Sequence, residues 1–301
     1  MGTQLNATEE PILMTNPRFL TREKDGVTMQ IHLRTHATHS AATHQPEVAP
    51  ERLGGKYGSW RIRRYLGQQG AIASYAAFPL DSPAQSEYVL HTPVDPTAEI
   101  AMLHLKREWA ISRRVASPHL LPVLDAQLQS APYFLVRPKL QGTTLSQYFR
   151  RHSRVSSHRA LWMLRQVAQS VDALHTQGWL NPALEMENML LAPDGHLTMI
   201  HAGRAEFLET HATAFEQKTY TDICSLGGLL LEFLGLSHTD APRKRWSPRG
   251  TEANSSTALT PPITDLITWM LSRKKTYRHR SAEQLVRRLV HLEIQSFPLA
   301  A

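Results

Sequence analysis

Cysteine is nearly absent. Cys224 stands alone among 301 residues, which excludes an intramolecular disulfide and leaves no framework for structural zinc; the thiol is expected to pack as a small hydrophobe. Long apolar runs are missing too. Nothing approaches the roughly 18 consecutive apolar residues of a membrane-crossing helix, and the first residues lack the charged and then apolar pattern of a secretory leader. A cytoplasmic protein is therefore expected. Histidines at His32, His36, His39 and His44 have no carboxylate partners or fixed scaffold, so no metal site is expected there.

The charge is unbalanced, at a formal +7. Basic residues recur at Lys106, Arg107, Arg113, Arg114, Arg150, Arg151, Arg154, Arg159 and Arg165, and again from Arg243 to Arg249. No aromatic residues alternate with them as a base-stacking platform requires. A basic surface suited to an acidic protein partner, or to no specific partner, explains the charge, and nucleic acid is not expected to bind.

Residues 1–50 are polar, without apolar periodicity, and are read as a disordered tail with one short strand over Val27–Leu33. From Lys56 the pattern changes. Trp60–Leu66, Ala73–Phe78, Glu87–His91, Val123–Leu128 and Tyr133–Val136 are short strand-like runs between turn signals, an antiparallel meander. Further on, Leu161, Leu164, Val167, Val171 and Leu174 fall on one helical stripe, capped by Ser156 or Ser157. Met189–Ala192 and Leu197–Ile200 flank Asp194-Gly195 and predict a hairpin. Residues 237–262, rich in Pro, Ser, Thr, Arg and Lys, read as a flexible insert.

The stretch from Ala173 to Phe207, a helix ending in Ala-Leu-His, a loop, a hairpin and a second loop, resembles the catalytic core of the eukaryotic-type (Hanks-type) Ser/Thr protein kinases. The likeness extends over roughly residues 53–295. Tyr220–Leu234 resembles the buried central helix of the large lobe, in which Asp222 would hold the catalytic loop from below. Arg278-His279-Arg280-Ser281-Ala282 resembles a motif of bacterial members, with Arg278 as the buried structural arginine. The resemblance implies an α+β, two-lobed protein-kinase-like fold: a small antiparallel β lobe with one helix over residues 51–140, and a larger, mainly helical lobe over 141–298.

The family's chemistry is altered at each expected position. His-Arg-Asp-Leu-Lys-x-x-Asn falls on Asn181, Pro182, Ala183, Leu184, Glu185, Met186, Glu187 and Asn188, and Asp-Phe-Gly falls on His201, Ala202 and Gly203. Ala183 cannot accept a substrate proton, and His201 is a poor ligand for hard, oxygen-seeking Mg²⁺. Glu185 places negative charge where the family has lysine. In the nucleotide loop Gly67 remains, but Gln69 and Ile72 replace the second and third glycines, while Gly70 serves as a turn residue. His91 stands for the third-strand lysine. Glu108 is either the helix glutamate of the family's ion pair or a solvated residue among Lys106, Arg107 and Arg113.

Arg137-Pro138-Lys139-Leu140-Gln141-Gly142 fits the hinge, where Pro138 has no N–H to give and Arg137 would fill the back of the nucleotide pocket. No Ala-Pro-Glu closes the segment after Gly203, so the substrate platform is short. Losing the family's aromatic at Ala202 leaves a cavity unless Met186, Met199 or Trp179 refills it. The expected protein is a bacterial pseudokinase, not an enzyme, without cofactor or metal. It would act as a scaffold or allosteric regulator of another protein, with an active kinase or a phosphatase as natural candidates. The alternative is an enzyme with weak phosphotransfer through Asn188, Glu187 and Glu185.

Overall fold

A computed structural model describes residues 54–81, 87–180, 182–209, 213–236, 259–272 and 280–296. The tail with its strand at Val27–Leu33 and its four histidines, Asn181, Arg278 and most of the 237–262 insert lie outside the described residues. The end of that insert is helical, because α5 below begins at Pro261.

The first half of the chain builds one antiparallel sheet and one helix. Strands β1 (Lys56–Tyr57), β2 (Trp60–Gln69), β3 (Ile72–Pro79), β4 (Tyr88–Pro93), β5 (Asp125–Gln127) and β6 (Phe134–Pro138) run in the order β1-β2-β3-β4-β6-β5. Gly70, at φ +57°, makes the tight turn between β2 and β3. The helix α1 (Glu99–Arg114) lies between β4 and β5 in sequence, with Ala101, Leu105 and Ile111 buried along one face. Arg137 and Pro138, read as hinge residues from sequence, are instead the last residues of β6. They pair with Val89 and Tyr88, since β4 extends far enough to hold them.

The second half is mainly helical. Short β7 (Thr143–Thr144) leads into α2 (Leu145–Arg151), whose Thr144 and Gln147 form a reciprocal cap. Helix α3 (Ser157–Thr176) starts at Ser156, whose side chain accepts from the Arg159 N–H, and buries the expected stripe from Leu161 to Leu174. After β8 (Trp179–Leu180) come the predicted hairpin strands β9 (Met189–Leu191) and β10 (Leu197–Met199). The Asp194 carboxylate accepts from the His196 N–H at 2.8 Å within their turn. Strand β11 (Glu206–Phe207) pairs with β8.

Helix α4 (Thr213–Phe233) buries Ile223, Leu226, Leu230 and Phe233, as expected of a central helix apolar on most sides. Helices α5 (Pro261–Leu271) and α6 (Ala282–Ser296) complete the core, to which Trp269, Met270, Leu285 and Leu289 contribute. The architecture is α+β and two-lobed, as a kinase-like fold requires. Among the described residues, no helix is long and apolar enough to cross a membrane.

Candidate functional site in the cleft between sheet and helices

Several of the substituted positions meet in one place. The end of β2, the middle of β4, the inner face of α1 and the end of β6 face the loop that follows β8 and the residues just after β10. Glu108 settles the two readings left open by the sequence: it is turned inward, with its side chain only 11% exposed. One carboxylate oxygen forms an ion pair with Arg137, and the other accepts the N–H groups of Ala202 at 3.1 Å and Gly203 at 3.0 Å. The solvated reading fails because Glu108 lies on the same helical stripe as Leu105 and Ile111.

Arg137 is the plug of the cleft. Its side chain is 2% exposed; it pairs with Glu108 and also donates to the carbonyl of Ile200. Burial lowers its guanidinium to about 9, which still leaves it a cation at neutral pH. The family's basic residue from the third strand is thus replaced by an arginine from β6. Sequence reasoning gave Arg137 its filling role but missed its partner, because Glu108 lies 29 residues upstream on another element.

His91 and His201 fill the front of the same space. Their rings meet edge to face at 5.4 Å, and the Nδ1 of His91 lies 2.9 Å from the Ser74 hydroxyl. Burial pulls His91 well below its ordinary range, with Arg137 and then His201 adding to the effect. His201 is lowered to about 3, by burial first and then by Arg137. Both are neutral at pH 7, so the 3.6 Å approach of His201 to Glu108 carries no full ion pair.

These shifts give stability a direction with pH. The unfolded chain takes up protons near pH 6.5 that the native histidines refuse, so stability is complete above that pH and falls below it. Each histidine can contribute about 1.4 kcal/mol per pH unit. The partly buried His104 and His119, also lowered chiefly by burial, act in the same sense, whereas Asp172, raised chiefly by burial, opposes them. Thermal midpoints should drop steeply between pH 6.5 and 5, and His91→Gln should make that drop shallower. A midpoint flat across this range would contradict the buried, neutral pair.

The loop that follows β8 is held by Asn188, which is 2% exposed. Its amide donates to the Ala183 carbonyl at 3.1 Å, and its Oδ1 accepts from Gln69 at 2.9 Å. Gln69, read from sequence only as a lost glycine, therefore ties β2 across the cleft to the loop. No local pattern could have shown a bond spanning 119 residues. Ala183 has φ +56°, a left-handed conformation that costs a side-chain-bearing residue roughly 1–2 kcal/mol. Glu185 and Glu187 point outward. Glu185 meets Arg204 at 2.8 Å, but both side chains are about half exposed, so the pair adds little.

The space left among Gln69, Ile72, Ser74, His91, Arg137 and His201 is about 30 Å³, a tenth of the roughly 300 Å³ at which small-molecule sites begin. A magnesium nucleotide does not fit these residues in this arrangement: the volume is filled, and His201 offers nitrogen where a hard cation needs oxygen. Among the described residues, no group of three or more His, Cys, Asp or Glu side chains could hold a metal ion.

Two further side chains tie the helical half together. Arg278, the expected buried arginine, lies outside the described residues; Arg280, two positions on, is 3% exposed and donates to the carbonyls of Met270 and Ser272. Asp222, expected from the sequence to hold the loop after β8, also lies 2.8 Å from His175 Nε2, bonding the end of α3 to α4. An open pocket of about 310 Å³ lies beside Ala202, with Met199 in its wall.

Sheet, inward glutamate, loop, hairpin and central helix together define a two-lobed, protein-kinase-like domain. Its homologues are mycobacterial Ser/Thr protein kinases, which support membership of the Hanks-type kinase superfamily. PknH of Mycobacterium bovis is 25% identical over 159 residues, 53% of this chain and 27% of the relative. PknD and PknE of Mycobacterium tuberculosis are 23% and 24% identical over 157 and 158 residues, 52% of this chain in each case and 24% and 28% of the relatives. The chain thus spans about a quarter of the length of these curated relatives. No protein-family model matches it. The expectation of a non-enzyme is corrected by these relatives: each is named a serine/threonine-protein kinase, and kinases are enzymes.

Proposed function

We propose that this chain is a cytoplasmic kinase-fold regulator that acts by binding another signalling protein, as a scaffold or allosteric partner. An active kinase or a phosphatase is the partner class that the kinase likeness favours. The observation that carries this reading is the buried Arg137, which links β6 to Glu108 on α1 and to Ile200 after β10. With the Gln69–Asn188 bond and the His91–His201 contact, it fastens sheet and helical lobe together. A domain closed in this way offers a partner one constant surface.

A thermal melt with millimolar ATP or ADP, in Mg²⁺, Mn²⁺ or no metal, tests the closed cleft. The midpoint should move by less than about 1 °C. A ligand at 100 times its dissociation constant would stabilise by about 2.7 kcal/mol, several degrees for a domain of this size, and such a shift would sink the reading.

The relatives' named activity favours a second reading, phosphoryl transfer through an altered site that includes Asn188. Phosphate incorporation from labelled ATP that disappears in Asn188→Ala would establish it.

A further inference from the structure

The chain from Ala126 to Val171 contains no aspartate or glutamate, and the fold gathers much of its positive charge at one place, the turn between α2 and α3. Arg150, Arg151, Arg154 and Arg159 are all exposed there, with His152 and His158 among them. One carboxylate, Glu232, stands on the last turn of α4, which adjoins this turn, so the surface keeps a clear excess of positive charge. The basic surface on the sheet is different: Arg63, Arg64 and Lys139 converge on Glu87, and that carboxylate already answers part of their charge.

The α2–α3 turn is fastened. The Val155 N–H donates to the Phe233 carbonyl of α4 at 2.9 Å, and Phe149 stacks on Phe233 with ring centroids 5.4 Å apart. Gly235 fits closely against it, since a Cβ there would meet Ser153 O and Arg154 Cβ at 3.0 Å. Two of the basic side chains are ordered as well. His152 stacks on Tyr148 at 4.2 Å and its Nδ1 donates to the Tyr148 carbonyl at 2.9 Å, while the Arg159 guanidinium lies 5.5 Å from the same ring. Groups already held in place lose less freedom when a partner arrives.

The geometry separates the kinds of anion that such a surface can take. A single-stranded nucleic acid needs free aromatic faces for its bases, and the Tyr148 ring is already taken by His152 and Arg159. An anionic membrane is held best where apolar side chains enter beside the charges. The exposed large hydrophobic residues among those described are Leu66, Ile100, Leu124, Phe207, Val290 and Ile294, none of them on α2 or α3. Carboxylates need neither, because the planar guanidinium forks directly to them.

We propose that the α2–α3 turn is the docking surface for an acidic, carboxylate-rich segment of the protein partner, with Arg150, Arg151, Arg154 and Arg159 as its anchors. Docking there rests on the regulatory reading above and gives its partner a chemistry. Each arginine pairs close to water, so affinity is modest and falls as salt shortens the reach of the charges.

The test is fluorescence anisotropy of a labelled octaglutamate peptide titrated with the full chain at about 50 mM salt. Wild type is compared with Arg150→Glu/Arg151→Glu, with the milder Arg159→Gln, and with Arg63→Glu/Arg64→Glu as an equal change of charge on the sheet. The assay contains no nucleotide, so a failed titration leaves the closed cleft and its melt with ATP untouched. The reversal at Arg150 and Arg151 should weaken binding about tenfold or more, since like charges then face each other. Arg159→Gln should weaken it about threefold, and the reversal on the sheet by less than about twofold. No binding by wild type, equal weakening by the two reversals, undiminished binding in Arg159→Gln, or tighter binding of octathymidylate or phosphatidylserine vesicles than of the peptide would overturn the proposal.

Discussion

Replacing Glu108 with alanine should destabilise the fold by about 3–5 kcal/mol, the usual effect of stripping one partner from a buried ion pair. Arg137 would stay in the interior as a cation with the Ile200 carbonyl still bonded to it but no counter-charge. The N–H groups of Ala202 and Gly203 would also lose their acceptor, at about 1–3 kcal/mol for each if left unsatisfied. These losses share one carboxylate, so they overlap and do not sum.

The informative comparison is the double variant Glu108→Leu, Arg137→Met. Removing both charges while keeping apolar volume is often neutral or stabilising, so the double variant should recover most of what Glu108→Ala loses. Urea midpoints at pH 7.5 measure both. A loss below about 1 kcal/mol in Glu108→Ala would mean that the carboxylate does not hold Arg137 in solution, and the closed cleft would lose its main support.

Glu108 also shows what the sequence makes legible. Its charged neighbours Lys106, Arg107 and Arg113 suggest a solvated face, yet Ala101, Leu105, Ile111 and Val115 recur at helical spacing around it. That stripe places Glu108 inward, and the period of the apolar residues was the signal to follow. The longer strands and the β9–β10 hairpin could be read because alternation and the Asp194-Gly195 turn act over a few residues. Two-residue strands such as β1, β7, β8 and β11 could not, since their pairing is tertiary and leaves no pattern. The same holds for Gln69, whose bond to Asn188 is made only when the two lobes meet. Arg137 was placed correctly in the pocket because a long cation at a strand end near the cleft has few other places to go.

Arg280 was not singled out from the sequence, where the motif alignment favoured Arg278, and it supplies the second large expected effect. Its two terminal nitrogens donate to Met270 O at 2.7 Å and Ser272 O at 2.6 Å, carbonyls at the C-terminal end of α5 that the helix itself cannot satisfy. The guanidinium also lies 5.3 Å from the ring of Tyr220 on α4 and 5.4 Å from that of Trp269 on α5. One side chain, just ahead of α6, therefore joins three helices. Arg280→Ala should cost about 3 kcal/mol, because hydrogen bonds to charged groups contribute roughly 1.5–3 kcal/mol each and these two share one anchor. Arg280→Lys should recover less than half of that: an ammonium keeps the charge but lacks the planar fork that reaches two carbonyls at once. Chemical denaturation of both variants, with Arg278→Ala alongside, separates the alternatives. A larger loss from Arg278→Ala than from Arg280→Ala would support the sequence alignment and remove Arg280 from its place as the tie between α4, α5 and α6.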